Sequence, residues 1–405
     1  MEEQVLKRIY LSIDQFINWL EHYGETSYDH QSFFAGSLGR RAKSLYYSKP
    51  LLGTLAVAPM IVSEAFLPSA RRLFWKPQRF PIADAHYAMG FALLSQVLDA
   101  KKCYERAVHF LGVLEKTRCP SYEHYCWGYP FDWQTRNGTI PADTPLITTT
   151  PYVYEAFQQV YQIDKNERWR VIMRSIAEHV LRDIKDFEIS PDTSTCSYTP
   201  HDAKGGVINA SAYRAFLLAS ASIEFSDEKY WQVGNRNLNF VLHSQRKNGA
   251  WYYASDGVRS FVDHFHTCFV LKALAKIEHL AGHKGCHEAI EKGIYYYLES
   301  LLDENRLPKP FSKAPRLTVY RNELYDYAEC INLCLLLRYR FKELDKVLSA
   351  VLEDLLCRWQ KPDGSFRSRK LYLGWDNVPM HRWAQSQLFR GLSLLLYQEK
   401  QNSQK

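Results

Sequence analysis

The sequence lacks the marks of several large protein classes. No run of five Lys or Arg occurs in its 405 residues, so the basic track of a nucleic-acid binder is missing. None of its nine cysteines forms a CxxC pair. They read as reduced thiols of a cytoplasmic protein rather than a disulfide framework or a zinc site. There is no HExxH, GxxxxGK[ST] or GxSxG motif, which leaves zinc-protease, P-loop and α/β-hydrolase chemistry without support. The acidic DxDD and DDxxD clusters that ionise terpenoid substrates are also absent. Nothing in the sequence calls for a metal or a cofactor. The opening MEEQVLKRIYLSIDQF begins with two acids and has no uninterrupted apolar core, so no secretory signal is expected.

Long apolar runs are scarce too. The nearest is 51–67, broken by Gly53, Thr54, Pro59, Ser63 and Glu64. A spanning helix needs about 20 apolar residues, so this stretch reads as a buried helix pair. Lys43, Lys49, Arg71, Arg72 and Lys76 flank it, and the alternative is an apolar patch resting on the inner-membrane surface.

Aromatic residues are plentiful. Twenty-one Phe, 10 Trp and 27 Tyr make up 14% of the chain. That suits large cores or a groove that holds sugar. The net charge of +7 is mild and leaves room for an anionic ligand.

The chain has an internal rhythm. Six segments, apolar on most faces, start near Ile82, Leu146, Val207, Val262, Glu323 and His381, at steps of 64, 61, 55, 61 and 58 residues. Helices apolar all round are buried helices. One-sided amphipathic helices follow the first five, at about 101–117, 166–188, 226–244, 284–302 and 342–359, and the N-terminal helix at 2–22 supplies a sixth. The inner-to-outer turns are short and the outer-to-inner connections long, so every long loop gathers at one end. The expected fold is all-α, an (α/α)6 toroid. Residues 1–80 are expected as a helical segment packed on the barrel, 81–400 as the toroid and 401–405 as a polar tail.

Two connections share a finer pattern, helix–Gln–x2-3–Gly–x–aromatic, as Gln245, Gly249, Trp251 and as Gln360, Gly364, Phe366. It resembles the turns of other α/α toroids and reads as packing.

The N-termini of the inner helices share the mouth with the long loops, where helix dipoles favour an anion. Trp127, Tyr129, Asp132 and Trp133 crowd one loop, and Asp84, Asn209, His264, Trp375, His381 and Trp383 sit at other inner-helix starts. Trp and Tyr beside fixed polar groups suit a sugar. Asp84 and Asp376 also fit helix caps. Asp263 and Asp326 come from successive repeats and are the expected acid and base of a glycosidase. His266 assists them. It stands about 200° around the helix from His264, so both cannot face one ligand. A uronate lyase or C5-epimerase would instead need a base, His266 or Tyr327, and a cation, Arg382, to stabilise the enolate.

CWGYPFDWQ, TPLITTTPYVYEAF, NASAYRAFLLAS, FVDHFHT and HRWAQSQ, in this order over about residues 25–400, resemble the VpsJ-like proteins of bacterial polysaccharide biosynthesis. More distantly the layout resembles toroid glycosidases, polysaccharide lyases and uronate epimerases. The resemblance implies a cytoplasmic protein of exopolysaccharide, capsule or O-antigen assembly, working at or near the inner membrane. Its partner would be a glycan or a lipid-linked saccharide, with a glycosyltransferase alongside and no nucleic acid. Glycoside hydrolysis is the leading expectation. A uronate lyase or epimerase, and a non-catalytic glycan- or glycosyltransferase-binding scaffold, are the alternatives.

Overall fold

Alternation of all-round apolar and one-sided helices dictates two concentric layers, and the computed structural model, which describes residues 3–404, has them. Helix α1 (Glu3–Tyr23) is followed by four helices outside the repeat: α2 (Ser32–Ala35), α3 (Ser37–Ser48), α4 (Pro50–Phe66) and α5 (Arg71–Phe74). Then come the pairs α6 (Pro81–Leu94) and α7 (Ala100–Lys116), α8 (Thr150–Asp164) and α9 (Glu167–Arg182), α10 (Ile208–Phe225) and α11 (Glu228–His243). The pairs α12 (His264–Ala281) and α13 (Lys284–Ser300), and α14 (Leu324–Leu337) and α15 (Glu343–Asp354), follow, and α16 (Ser386–Ser403) ends the chain. The even-numbered helices α6 to α16 form the inner ring, which closes where α16 packs on α6. Asp99, Asn166 and Asp227 start three of the outer helices by accepting backbone N–H bonds from the first turn, the usual work of an N-cap.

α1 is the sixth outer helix. It packs on α16 through Phe16, whose ring lies 5.5 Å from that of Phe389. The two Gln–Gly turns show how neighbouring outer helices are stitched together. Gln245 Nε2 donates to the Gly249 carbonyl (3.0 Å) and to Ala289 on α13 (2.9 Å). Gln360 Nε2 donates to the Gly364 carbonyl (3.1 Å) and to Ser12 on α1 (3.0 Å). One device thus joins the third helix pair to the fourth and the fifth pair to the N-terminal helix.

The long connections are not plain loops. They hold short antiparallel sheets: β1 (Trp133–Thr135) with β2 (Gly138–Ile140), β3 (Asp186–Ser190) with β4 (Thr193–Cys196), β5 (Val262–Asp263) with β6 (Phe311–Lys313). A three-stranded sheet joins β7 (Tyr320–Glu323), β8 (Arg369–Leu371) and β9 (Trp375–Asp376). Helical periodicity carries no trace of such short strands. The second outer helix therefore ends at Arg182 rather than 188, because β3 begins at Asp186. The expected polar tail is helix as far as Ser403.

The expected N-terminal segment splits in two. α1 joins the ring. Helices α2 to α5 form a lid with a small core of its own, Phe33, Ala42, Val57 and Met60. The lid rests on β1 at one side. At the other, Arg71 pairs with Asp376, and Glu64 pairs with Arg369, which also holds Glu323 at 2.9 Å. Among the described residues no helix is long and apolar enough to cross a membrane. At the opposite end of the inner helices, Glu155, Gln158, Gln159 and Arg390 line a cavity of about 620 Å³.

Candidate active site

Asp263 is the N-cap of α12. Its carboxylate accepts the backbone N–H of His266 at 3.1 Å and the ring Nδ1–H at 2.7 Å. A buried carboxylate on Nδ1 fixes the imidazole's orientation and tautomer. The imidazole is 23% exposed, and its Nε2 makes no hydrogen bond to the described residues. That is the geometry of a base waiting for a proton. Tyr253 (4.7 Å), Phe265 (4.4 Å) and Phe269 (5.5 Å) surround the ring and fix its position.

Asp326 lies in the first turn of α14, the next inner helix. It is buried, and neither carboxyl oxygen has a hydrogen-bond partner. Burial, with the nearby carboxylates of Glu323 and Asp263, pushes its titration well above the usual carboxylate range, and the Arg369 cation offsets this only in part. A carboxyl group in this state keeps its proton and can donate it.

Aromatic rings continue from this point across the mouth. Phe265 packs on Tyr325 (5.0 Å), Tyr325 on Trp383 (5.1 Å, edge-on), and Trp383 on His30 of the lid (5.6 Å). On the far side Trp133 meets Tyr129 (5.5 Å) and Tyr198 (6.2 Å). Trp383, Tyr129, Trp133 and Tyr198 are partly exposed. Below them Tyr152 and Tyr213 share a hydroxyl bond of 2.7 Å, and Lys272 pairs with the buried Glu329 at 2.6 Å. His86 packs on Tyr152 at 4.5 Å with both ring nitrogens unpartnered.

The mouth is cationic on its lid side. Burial and the Arg316 and Arg382 charges lower the Lys43 ammonium to about 8. Burial and the cations of Arg369, Arg382, Arg71 and Lys43 hold His30 well below its ordinary value. Arg382, Arg369 and Arg71 each have a carboxylate partner, whereas Lys43 bonds only the Gln31 amide oxygen among the described residues, so Lys43 is the charge left for an anion.

Several expected site residues point elsewhere. Trp127 is fully buried and donates Nε1–H to the Leu114 carbonyl at 2.8 Å, a plug between layers, as Trp251 does to Val241. His264 faces the outer layer, between the Leu301 carbonyl (3.3 Å) and the Tyr297 hydroxyl (3.2 Å). His381 is buried between the Tyr87 hydroxyl (2.6 Å) and the Gly24 carbonyl (3.0 Å), and burial lowers it to about 4. Asp84 is held in a two-point pair by Arg79 at 3.0 and 2.9 Å. The Tyr327 hydroxyl donates to Asp354 on the outer helix at 2.7 Å, so it does not fit the role of base. Trp375 packs on Trp359 and under Lys370 and Arg367, behind α14.

Others stand at the mouth in changed roles. Arg382 is buried, 2.7 Å from Asp29, with its guanidinium 4.4 Å from the ring centres of Tyr129 and Trp383. It braces the aromatic wall more than it reaches for substrate. Asp132 holds Arg40 of the lid at 3.3 Å and the Ala142 N–H at 3.0 Å. Asn209 is buried in the first turn of α10 with its Oδ1 unpartnered.

His30 and Lys43 were not candidates in the sequence, because nothing in a helical segment's pattern says which surface it covers. Tyr325 and Phe265 carried a signal: each flanks a candidate acid or histidine in an inner-helix first turn.

No protein-family model matches the chain, and no curated relative matches it in sequence. Solved structures do match. An unsaturated glucuronyl hydrolase specific for heparin aligns over 99% of this chain and 99% of its own, with a TM-score of 0.64 at 10% identity. A cellobiose 2-epimerase from Bacillus thermoamylovorans covers 79% of this chain and 88% of its own, with a TM-score of 0.62 at 8% identity. A D-mannose isomerase covers 81% and 89%, with a TM-score of 0.58 at 12% identity. At such identities the likeness is one of fold, and the fold is the (α/α)6 toroid.

Proposed function

We propose that the protein is a carbohydrate-active enzyme that hydrolyses a glycosidic bond in an anionic saccharide by general acid/base catalysis. The observation that carries this reading is the pairing, on successive inner helices, of an open imidazole steered by Asp263 with the buried, unpartnered carboxyl of Asp326, whose titration burial raises. His266 Nε2 takes a proton from water as the oxygen attacks the anomeric carbon, and Asp263 stabilises the imidazolium. Asp326 gives its proton to the leaving oxygen as the C–O bond breaks, and solvent resets both groups. Trp133, Tyr129 and Trp383 hold the sugar rings. The cationic lid side supports a carboxylate- or phosphate-bearing substrate. The alignment of the whole chain with a glucuronyl hydrolase agrees with that choice.

The same cations favour one second reading, abstraction of a C5 proton from a uronate by His266, leading to elimination or epimerisation. The two readings part on products. With uronate-containing oligosaccharides, hydrolysis gives a new reducing end and no exchange at C5. Elimination gives an unsaturated chromophore, and epimerisation places solvent deuterium at C5.

The test of the site is kinetic. His266→Gln and Asp326→Asn each lower turnover by about 10² or more. Asp263→Asn lowers it too and displaces the pH profile. Full turnover in His266→Gln and Asp326→Asn rejects the assignment and moves the chemistry to other residues, whereas no turnover by the wild-type protein leaves a glycan-binding scaffold.

The cellular setting rests on the sequence resemblance alone. It puts the reaction in the cytoplasm, in surface-polysaccharide assembly, on a free or lipid-linked glycan and beside a glycosyltransferase.

A further inference from the structure

The lid has a face that the site does not use. The inward side of α4 supplies Val57 and Met60 to the lid core and Glu64 to Arg369. Its outward side carries Leu51, Leu55, Val62 and Phe66, which are 89, 72, 54 and 59% exposed. Their spacings of four, seven and four residues put them in one stripe of a 3.6-residue helix. Leu67 and Leu73, 65 and 87% exposed, extend the patch. Contiguous apolar surface of this kind marks an interaction site.

The charge around the patch is one-sided. Arg41, Lys49, Arg72 and Lys76 are exposed. Residues 30–79 contain eight Lys or Arg and one carboxylate, Glu64, and that carboxylate is buried. The surplus of seven equals the net charge of the whole chain, so the remaining residues are balanced. The unpartnered apolar stripe and the entire positive excess occupy the same 50 residues.

We propose that this face docks the protein on an anionic bilayer, with the α4 stripe among the headgroups and the four cations on lipid phosphates. α4 has 17 residues with Pro59 inside it, too short to span, so it lies in the plane of the interface. Pairing with Arg369 keeps the lid's one acid away from the lipid.

The test is flotation of the intact protein with phosphatidylcholine vesicles, alone and mixed with phosphatidylglycerol. Each cation near an anionic surface contributes a factor of about five in partition, so with four cations the expected preference for mixed vesicles is about 10²-fold or more, and it is lost in high salt. Leu55→Asp/Val62→Asp abolishes flotation, and Arg72→Glu/Lys76→Glu weakens it about 25-fold or more. All four positions are exposed, so the variants keep the wild-type circular-dichroism melt. Equal partition on both vesicles, no partition, or unchanged partition of the variants overturns the proposal. A dimer seen by light scattering that Leu55→Asp/Val62→Asp converts to monomer, without vesicle binding, assigns the stripe to a second copy instead.

Discussion

Arg71 and Asp376 form a two-point ion pair, at 3.0 and 2.6 Å, across 305 residues of sequence and with neither side chain exposed. Arg71 belongs to the lid and Asp376 to the sheet before the last inner helix. Breaking a buried pair from one side strands a charge and costs about 3–5 kcal/mol. Arg71→Ala is therefore expected to lower the melting temperature and to open the lid to limited proteolysis within residues 24–80. Replacing both partners, as Arg71→Met/Asp376→Leu, recovers much of the loss. A single variant with the wild-type melt and digestion pattern would show that the lid is held by other contacts.

The state of Asp326 predicts a pH dependence. Its native carboxyl titrates above its unfolded value near 3.9, so above that value the folded chain keeps a proton that the unfolded chain has lost. Stability then falls as pH rises from about 4 toward the folded value, and the group costs nothing below the unfolded one. Asp326→Asn removes this slope. The variant should melt with the wild type near pH ~4 and above it at neutral pH, while its turnover drops. A melt no higher than wild type at neutral pH would mean that the buried carboxyl is not held protonated.

The Gln–Gly stitches predict a graded glycine series. Gly249 and Gly364 both have φ +91, and a Cβ there would lie 2.2 Å from the Lys292 carbonyl oxygen and 2.3 Å from that of Gln15. Gly24 has φ +89 with nothing within 4 Å. Alanine at Gly24 adds backbone strain of about 1–2 kcal/mol. At Gly249 or Gly364 it adds about 1–3 kcal/mol more, because the next outer helix must move. Thermal melts that fail to separate Gly364→Ala from Gly24→Ala would show that the outer ring has slack at this join.

The ring was legible in the sequence because its signal repeats. Six all-round apolar helices at nearly equal spacing have few other ways to bury themselves, and the Gln–Gly turns marked the joins. Asp263 and His266 were legible because a cap and the first turn of an inner helix share the mouth. Which side of a helix a residue faces was harder to read. Tyr327 follows Asp326 by one residue, a rotation of about 100°, and its hydroxyl goes to the outer layer. Trp127 and His381 have the chemistry of a binding site but satisfy their polar atoms against Leu114, Tyr87 and Gly24. The lid was the least legible part, since its placement rests on pairs such as Arg71–Asp376 and Glu64–Arg369 that no local pattern encodes.

Using α1 as the sixth outer helix has a consequence for biosynthesis. Its contacts include Arg8 with Glu353 at 2.8 Å, Ser12 with Gln360 and Phe16 with Phe389. A ribosome makes α1 first and these partners last, roughly twenty seconds to a minute later at typical elongation rates. Through that interval the side of α1 that meets α16 stays uncovered, although Phe16 already has Tyr87 of α6 beside it. The ring can therefore close at this seam only once the α15 and α16 segments have been made.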